Sequence, residues 1–281
     1  MNLYRSLILL CLLIIQPALA LTLHSRHDSE IAPPRWSKAE QDWLRQAKLL
    51  RVGLLEQDYR PFSMIVSQSR FEGISADYLG ILAKILHKPL ALCPFADKES
   101  ALLALRRGEI DLVNLGNLTL ADTEAPGIRL SRPYFSSPLV FSAPKPHQGP
   151  LLTPGQRVAT VKGQIDAQRF RLYYPTLTLV THPSNAEAFD AVFFGRQEIL
   201  LSDAHAMHYL NSERFDHLRQ RGEAPPSLAP ADFRFALSTR SPALLGLINH
   251  GLDAIDEGTR NAIFSQWNGP IRDMNDGASE R

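Results

Sequence analysis

The side chains of this chain best placed to do chemistry are of the kind that hold a small molecule. In LRVGLLEQDYRPFSM the apolar run Val52, Leu54 and Leu55 reads as a strand, Glu56 to Pro61 breaks it, and Phe62 to Val66 resumes an extended pattern. Tyr59 therefore stands where a strand gives way to a loop. Asn117, Thr119, Gly163 and Asp203 occupy the same kind of place, each just after a predicted strand. Parallel α/β sheets bind ligands beyond the carboxyl ends of their strands, so these positions form a coherent candidate site. An aromatic at such a place more often packs against a core than against a ligand, and Tyr59 alone does not make the site.

Catalysis has no comparable support. The sequence holds no G-x-S-x-G elbow, no H-E-x-x-H pair and no P-loop. Cys93 ends the apolar run Leu90-Ala91-Leu92-Cys93, the setting of a buried structural thiol and not of a nucleophile. Asp203, His205 and His208 have a spacing that puts two metal ligands on one helical face, and His24 with His27 makes another near pair. Close pairs arise by chance among nine histidines, and neither a metal nor any other cofactor is expected.

The elements that must carry these residues begin with an export signal. Arg5 supplies a positive start, Leu7 to Ile15 an apolar run, and Ala18-Leu19-Ala20 a cleavage site, so residues 1–20 read as a signal peptide and the expected location is periplasmic. The run falls short of the about 20 apolar residues of a membrane span. Removing residues 1–20 takes away Arg5 and no acidic residue, so the formal charge falls from +1 to 0 and no electrostatic footprint for nucleic acid remains. Cys93 is then the one cysteine left, and no internal disulfide can form.

Residues 21–36 form a polar leader with Pro33-Pro34, expected to be extended or poorly ordered. Ser37-Lys38-Ala39-Glu40 fits a capping box that opens a short helix. Strand and helix then alternate: strands over 50–55, 90–94 and 112–115 with helices over 74–86 and 98–107, and again strands over 157–161, 177–181 and 198–202 with helices over 164–173 and 186–194. A strand over 233–237 and helices over 242–255 and 258–267 follow. The pattern predicts two α/β lobes, each with a mainly parallel sheet flanked by helices.

The segments Leu50 to Phe62, Phe71 to Leu79, Gly108 to Thr119, Leu130 to Tyr134, Gly195 to Asp203 and Phe235 to Trp267 resemble, in order and spacing, the family 3 periplasmic solute-binding proteins. The helix SKAEQDWLRQ running into LRVG is similar to the Venus-flytrap sensor domains of BvgS-type histidine kinases. The resemblance implies a monomeric two-lobe clamp in which the chain crosses near residues 139–146 and returns near 229–235. Lobe 1 would comprise 37–142 and 233–270, lobe 2 would comprise 143–232, and 271–281 would form a polar tail. A ligand binds between the lobes and closure buries it.

The resemblance also assigns roles. In amino-acid-binding members an aromatic before Pro-Phe packs over the ligand, the place of Tyr59 in DYRPF. Thr119 in GNLT corresponds to a ligand-bonding hydroxyl, Glu56 stands at another pocket position, and Asp203 matches the aspartate that accepts from a ligand ammonium. Two departures stand out. The arginine that pairs with a ligand carboxylate is replaced by Glu124, and a Gly followed by hydroxyl residues is replaced by Gly163-Gln164-Ile165-Asp166. Amides at that helix start are worth roughly 0.3 to 1 kcal/mol to an anion, while losing a bidentate arginine costs on the order of 2 to 5 kcal/mol. A standard α-amino acid is therefore not expected. Glu56, Glu124 and Asp203 beside Tyr59 suit an amine or an amino-acid derivative. The expected role is delivery of that solute to an ABC permease in the inner membrane; the alternative is sensing with a membrane-bound sensor kinase, and an enzyme is the least expected outcome.

Overall fold

The computed structural model describes residues 21–67, 69–117, 126–146, 150, 152–214, 216–228 and 232–267, with the backbone alone at 116 and 117. The expected signal peptide and tail, Thr119 and Glu124 lie outside the described residues. After β1 (Thr22–Leu23), α1 (Lys38–Gln46) starts at a reciprocal capping box, in which Glu40 N donates to Ser37 Oγ at 3.4 Å and Ser37 N to Glu40 Oε2 at 2.7 Å. There follow β2 (Leu50–Leu55), β3 (Met64–Val66), β4 (Arg70–Glu72), α2 (Ile74–Leu86), β5 (Leu90–Phe95), α3 (Lys98–Arg107), β6 (Leu112–Asn117), β7 (Ile128–Leu130) and β8 (Phe135–Ser136). The chain continues through β9 (Leu139–Pro144), β10 (Arg157–Val161), α4 (Ala167–Tyr173), β11 (Thr178–His182), α5 (Asn185–Phe193), β12 (Ile199–Asp203), α6 (Ala204–Glu213) and β13 (Leu218–Glu223). It ends with β14 (Asp232–Ser238), α7 (Pro242–Ala254) and α8 (Glu257–Gln266).

These elements build two α/β lobes. Lobe 1 has the strand order β5-β2-β6-β14-β7, with β8 paired to β14, and lobe 2 has β11-β10-β12-β9-β13. In each lobe the strands joined through helices pair in parallel and the strands next to the crossings pair antiparallel. β2 lies inside its sheet, and Leu50, Val52 and Leu54 are fully buried in the lobe 1 core. Its Gly53 has no room for a side chain, since a Cβ would come within 2.7 Å of Ile110 Cδ1. Among the described residues no helix is long and apolar enough to cross a membrane.

Two expectations need correction. The first crossing falls at Ser137-Pro138 and not at 139–146, because Leu139 to Ser142 pair with β12 and β9 already belongs to the lobe 2 sheet. An apolar run carries no mark of the sheet it will join, and the turn-rich segment after Pro144 is a connection inside lobe 2. The return falls after Leu228, which packs in the lobe 2 core, and before β14.

The leader is the second correction. Residues 22–23 pair in parallel with β4, and Leu21, Leu23, Ile31 and Trp36 pack on the lobe 1 core. The fully buried Asp77 of α2 fastens it: Oδ1 accepts from Ser25 Oγ at 2.9 Å, Arg26 N at 2.6 Å and His27 N at 3.2 Å, and Oδ2 accepts from Trp267 Nε1 at 2.6 Å. The Arg26 guanidinium lies 3.7 Å from the centre of the Trp267 ring. A buried carboxylate needs donors, and the polar leader supplies them.

Candidate ligand-binding site

The loop that carries Tyr59 is pinned before it reaches lobe 2. Ile74 N donates to Pro61 O and Ser75 N to Phe62 O, both at 3.0 Å, so the first free amides of α2 hold the loop. Gly73 allows this approach. Its φ is 124°, and a Cβ there would sit 2.4 Å from Phe62 O. Tyr59 N and Ser63 O close the turn at 2.9 Å.

From this base residues 57–60 reach across to lobe 2. The Tyr59 hydroxyl donates to Asp203 Oδ2 at 2.6 Å and accepts from Gln164 Nε2 at 2.8 Å. Asn185 brackets the Arg60 peptide, with Arg60 N donating to its Oδ1 at 3.2 Å and its Nδ2 donating to Arg60 O at 2.6 Å. Gln57 Nε2 donates to Pro183 O at 2.5 Å. Tyr59, Gln164, Asn185 and Asp203 are 4%, 2%, 2% and 2% exposed, so the Tyr59 bonds are closed to water, while the Arg60 bonds are part-buried and the Gln57 bond lies at the exposed edge of the seam.

An apolar contact backs the polar one. His205, at the start of α6 in lobe 2, lies among lobe 1 aromatics, with ring centres 5.7 Å from Phe62, 5.3 Å from Phe135 and 4.5 Å from Phe264. Phe62 stacks on Phe233 at 3.9 Å, and the Tyr59 ring is 5.9 Å from Phe62 and 6.1 Å from Phe233. Aromatic pairs of this kind are worth about 0.5 to 1.5 kcal/mol beyond the area they bury.

Burial sets the charges. It raises the Tyr59 pKa well above the ordinary range, with the Asp203 charge and hydrogen bond adding to the effect, so the phenol keeps its proton. Burial also raises Asp203, against which its bonds from Tyr59, Ala206 N, Ser137 and His205 N act. Asp203 is the N-cap of α6, with Oδ1 accepting from Ala206 N at 2.8 Å. Burial, with the nearby His208, lowers His205 to about 4, so its ring is neutral at ordinary pH.

Of the expected site residues, Tyr59, Gln164 and Asp203 come together. Gly163 precedes Gln164 with φ 82° and makes the turn out of β10. Glu56 is exposed, its N–H donating to Phe95 O, and it does not join Asp203. Asn117 ends β6, Thr119 and Glu124 lie outside the described residues, and the acidic cleft as a whole is not assembled among those described. The helix expected from Gln164 starts at Ala167, and its N-terminus is already capped by Asp166, whose Oδ1 accepts from Arg169 N at 2.7 Å. Asp166 competes there with any outside anion. Asn185, Gln57 and His205 were not foreseen as seam residues; Ser184-Asn185 before an apolar helix signals a cap, not a partner for a loop 125 residues away. Among the described residues no group of three or more metal-ligating side chains comes together.

The profile of the bacterial extracellular solute-binding proteins, family 3, matches residues 50–270. The chain belongs to that family. It is 29% identical over 227 residues to the virulence sensor protein BvgS of Bordetella pertussis, covering 80% of this chain and 18% of that protein. It is 24% identical over 248 residues to the sensor protein EvgS of Escherichia coli K12, covering 87% of this chain and 20% of that protein. The chain thus spans about a fifth of the length of these sensor proteins. The crystal structure of the B. pertussis BvgS periplasmic domain superposes with a TM-score of 0.77 at 27% identity, over 88% of this chain and 48% of the other. An ancestral arginine-binding protein bound to arginine gives 0.64 at 22% identity, over 79% and 99%, which speaks for the fold alone. The fold is the two-lobe Venus flytrap.

Proposed function

We propose that this chain is a ligand-sensing clamp: it takes a small polar solute between its lobes in the periplasm and reports the clamp's state to a membrane-bound sensor kinase. The observation that carries this reading is the grip of residues 57–60 on Asp203, Gln164, Asn185 and Pro183. A solute entering the seam must displace these bonds, so its concentration is read as the position of lobe 2 relative to lobe 1. The similarity to sensor proteins along most of the chain supports the same branch. Export through residues 1–20 and action by binding, not catalysis, complete the proposal.

Delivery of a solute to an ABC permease is the second reading, favoured by the family match over residues 50–270. A deletion strain separates the two. Sensing predicts unchanged uptake of labelled amines and amino acids together with an altered phosphorylation state of a partner kinase. Loss of uptake of any such solute, restored by the intact gene, would overturn the sensing proposal.

A further inference from the structure

We infer that the lobe 2 wall of the seam is a hydroxyl-reading half-site, occupied by the chain's own Tyr59, and that the ligand class able to take it over is a small phenol. The inference rests on the seam being the ligand cleft. Donors and acceptors at one point in space decide the class. Asp203 Oδ1 is committed to Ala206 N, so Oδ2 is the oxygen turned to the cleft, and an ionised carboxylate only accepts. A phenol has one proton. Tyr59 gives it to Asp203 Oδ2 at 2.6 Å, so the bond of 2.8 Å to Gln164 must run from the amide Nε2 to the phenol oxygen.

The amide is held that way round from behind. The fully buried Thr160 hydroxyl donates to Gln164 Oε1 at 3.1 Å. Beside the buried Ser202 hydroxyl, which can turn either way, the half-site therefore presents one fixed acceptor, Asp203, and one fixed donor, Gln164, that converge on a single atom, which must both give and take a hydrogen bond. A hydroxyl does so. An ammonium only gives; to seat it, Gln164 would have to turn its amide over and leave the Thr160 proton without its acceptor. A carboxylate only takes, and would face Asp203. The ring contacts with Phe62 and Phe233 select an aromatic carrier for that hydroxyl. The site thus departs from the cationic ligand expected from Glu56, Glu124 and Asp203.

Removing the occupant tests the inference. Tyr59→Ala vacates the position, and binding to the purified chain is followed by calorimetry and melting temperature with 4-methylphenol, toluene and n-butylammonium. The expected result is that 4-methylphenol binds the variant and raises its melting temperature. Toluene, which fills the space without a hydroxyl, should bind about tenfold more weakly or worse, because it leaves buried polar groups unpaired. Butylammonium should give no heat, the wild type should bind 4-methylphenol only at higher concentration because it must first displace Tyr59, and adding Asp203→Asn should erase the preference for methylphenol. Equal binding of toluene, tighter binding of butylammonium, wild-type binding as strong as the variant's, or no binding by a folded variant each overturns the inference. Should Tyr59→Ala not fold, Tyr59→Phe and Gln164→Leu form a double-mutant cycle. Their losses in melting temperature must be non-additive if both act through one hydroxyl, and additive losses overturn it. These outcomes are read on purified protein and stand apart from the uptake and phosphorylation results that judge the sensing role.

Discussion

Asp77 and Asp203 are both buried carboxylates, 0% and 2% exposed, and both are saturated with hydrogen bonds, yet they do different work. The donors on Asp77 are two backbone amides, a serine hydroxyl and an indole, all belonging to the body of lobe 1 or its leader. None of them can leave unless the chain peels away. Asp203 shares one oxygen with its own helix and gives the other to a side chain from the opposite lobe. That donor can withdraw with lobe 1 intact. The lesson is that a buried charge stabilises whatever bodies its partners ride on: Asp77 belongs to the folding equilibrium, and Asp203 to the choice between lobe arrangements.

The comparison breaks most readily at Asp77. Asp77→Ala should cost on the order of 3 to 5 kcal/mol in denaturant unfolding, because it orphans the buried Trp267 indole and three part-buried leader donors at once. It should also expose residues 21–36 to protease, while the interlobe distance measured by small-angle scattering stays unchanged. A loss below about 1 kcal/mol would mean the leader is held by its apolar contacts alone.

The next effect is pH-dependent and belongs to the seam. His205 has a value of about 4 in the folded chain against an ordinary 6.5, so between these values the unfolded chain takes up a proton that the folded one refuses. Its contribution is therefore fully present above pH 6.5 and is lost as the pH falls toward 4. Over that interval the loss is roughly 3 kcal/mol. Other groups titrate in the same range, so the measurement is the difference in melting temperature between wild type and His205→Phe from pH 7 to 4.5. The wild type should fall more steeply; parallel curves would place His205 outside the energetics of the seam.

Asn185→Ala sharpens the comparison from the other direction. It removes both bonds to the Arg60 peptide and leaves the Tyr59–Asp203 bond in place. The closed arrangement should lose about 1 to 3 kcal/mol, read as a shift toward larger interlobe distance in scattering. An unchanged distance distribution would leave the polar latch to Tyr59 and Gln57.

The lobes were legible in the sequence because β2, α2, β5, α3 and β6 each announce themselves by period, caps and closing glycines such as Gly108, which ends α3 with φ 76°. Tyr59, Gln164 and Asp203 were legible as positions after strands. Their meeting was not, because nothing local tells a tyrosine at a strand end that its hydroxyl will reach a carboxylate 144 residues away. The same limit hid Asn185, which reads as a helix start, and the leader, whose polar residues read as solvent-facing although Asp77 collects them. Polarity in sequence signals a need for partners, and water is only one of them.

The smallest effect tests whether the two kinds of region are as separate as the geometry implies. Ser37→Ala removes the hydroxyl that accepts from Glu40 N, a bond of 3.4 Å, and leaves Ser37 N on Glu40 Oε2 at 2.7 Å. Half of the capping box survives, so the loss should be about 0.5 to 1 kcal/mol, at the low end for a cap. α1 packs on α7 within lobe 1, and Glu40 is further held by His250 Nδ1 at 3.0 Å. The main contacts of this helix are with α7, away from the seam residues. Denaturant melts should therefore show the loss in full, and the interlobe distance should match the wild type. A helix-cap variant that also opened the clamp would mean that lobe 1 transmits its own loosening to Tyr59, and the division between the Asp77 and Asp203 regions would no longer hold.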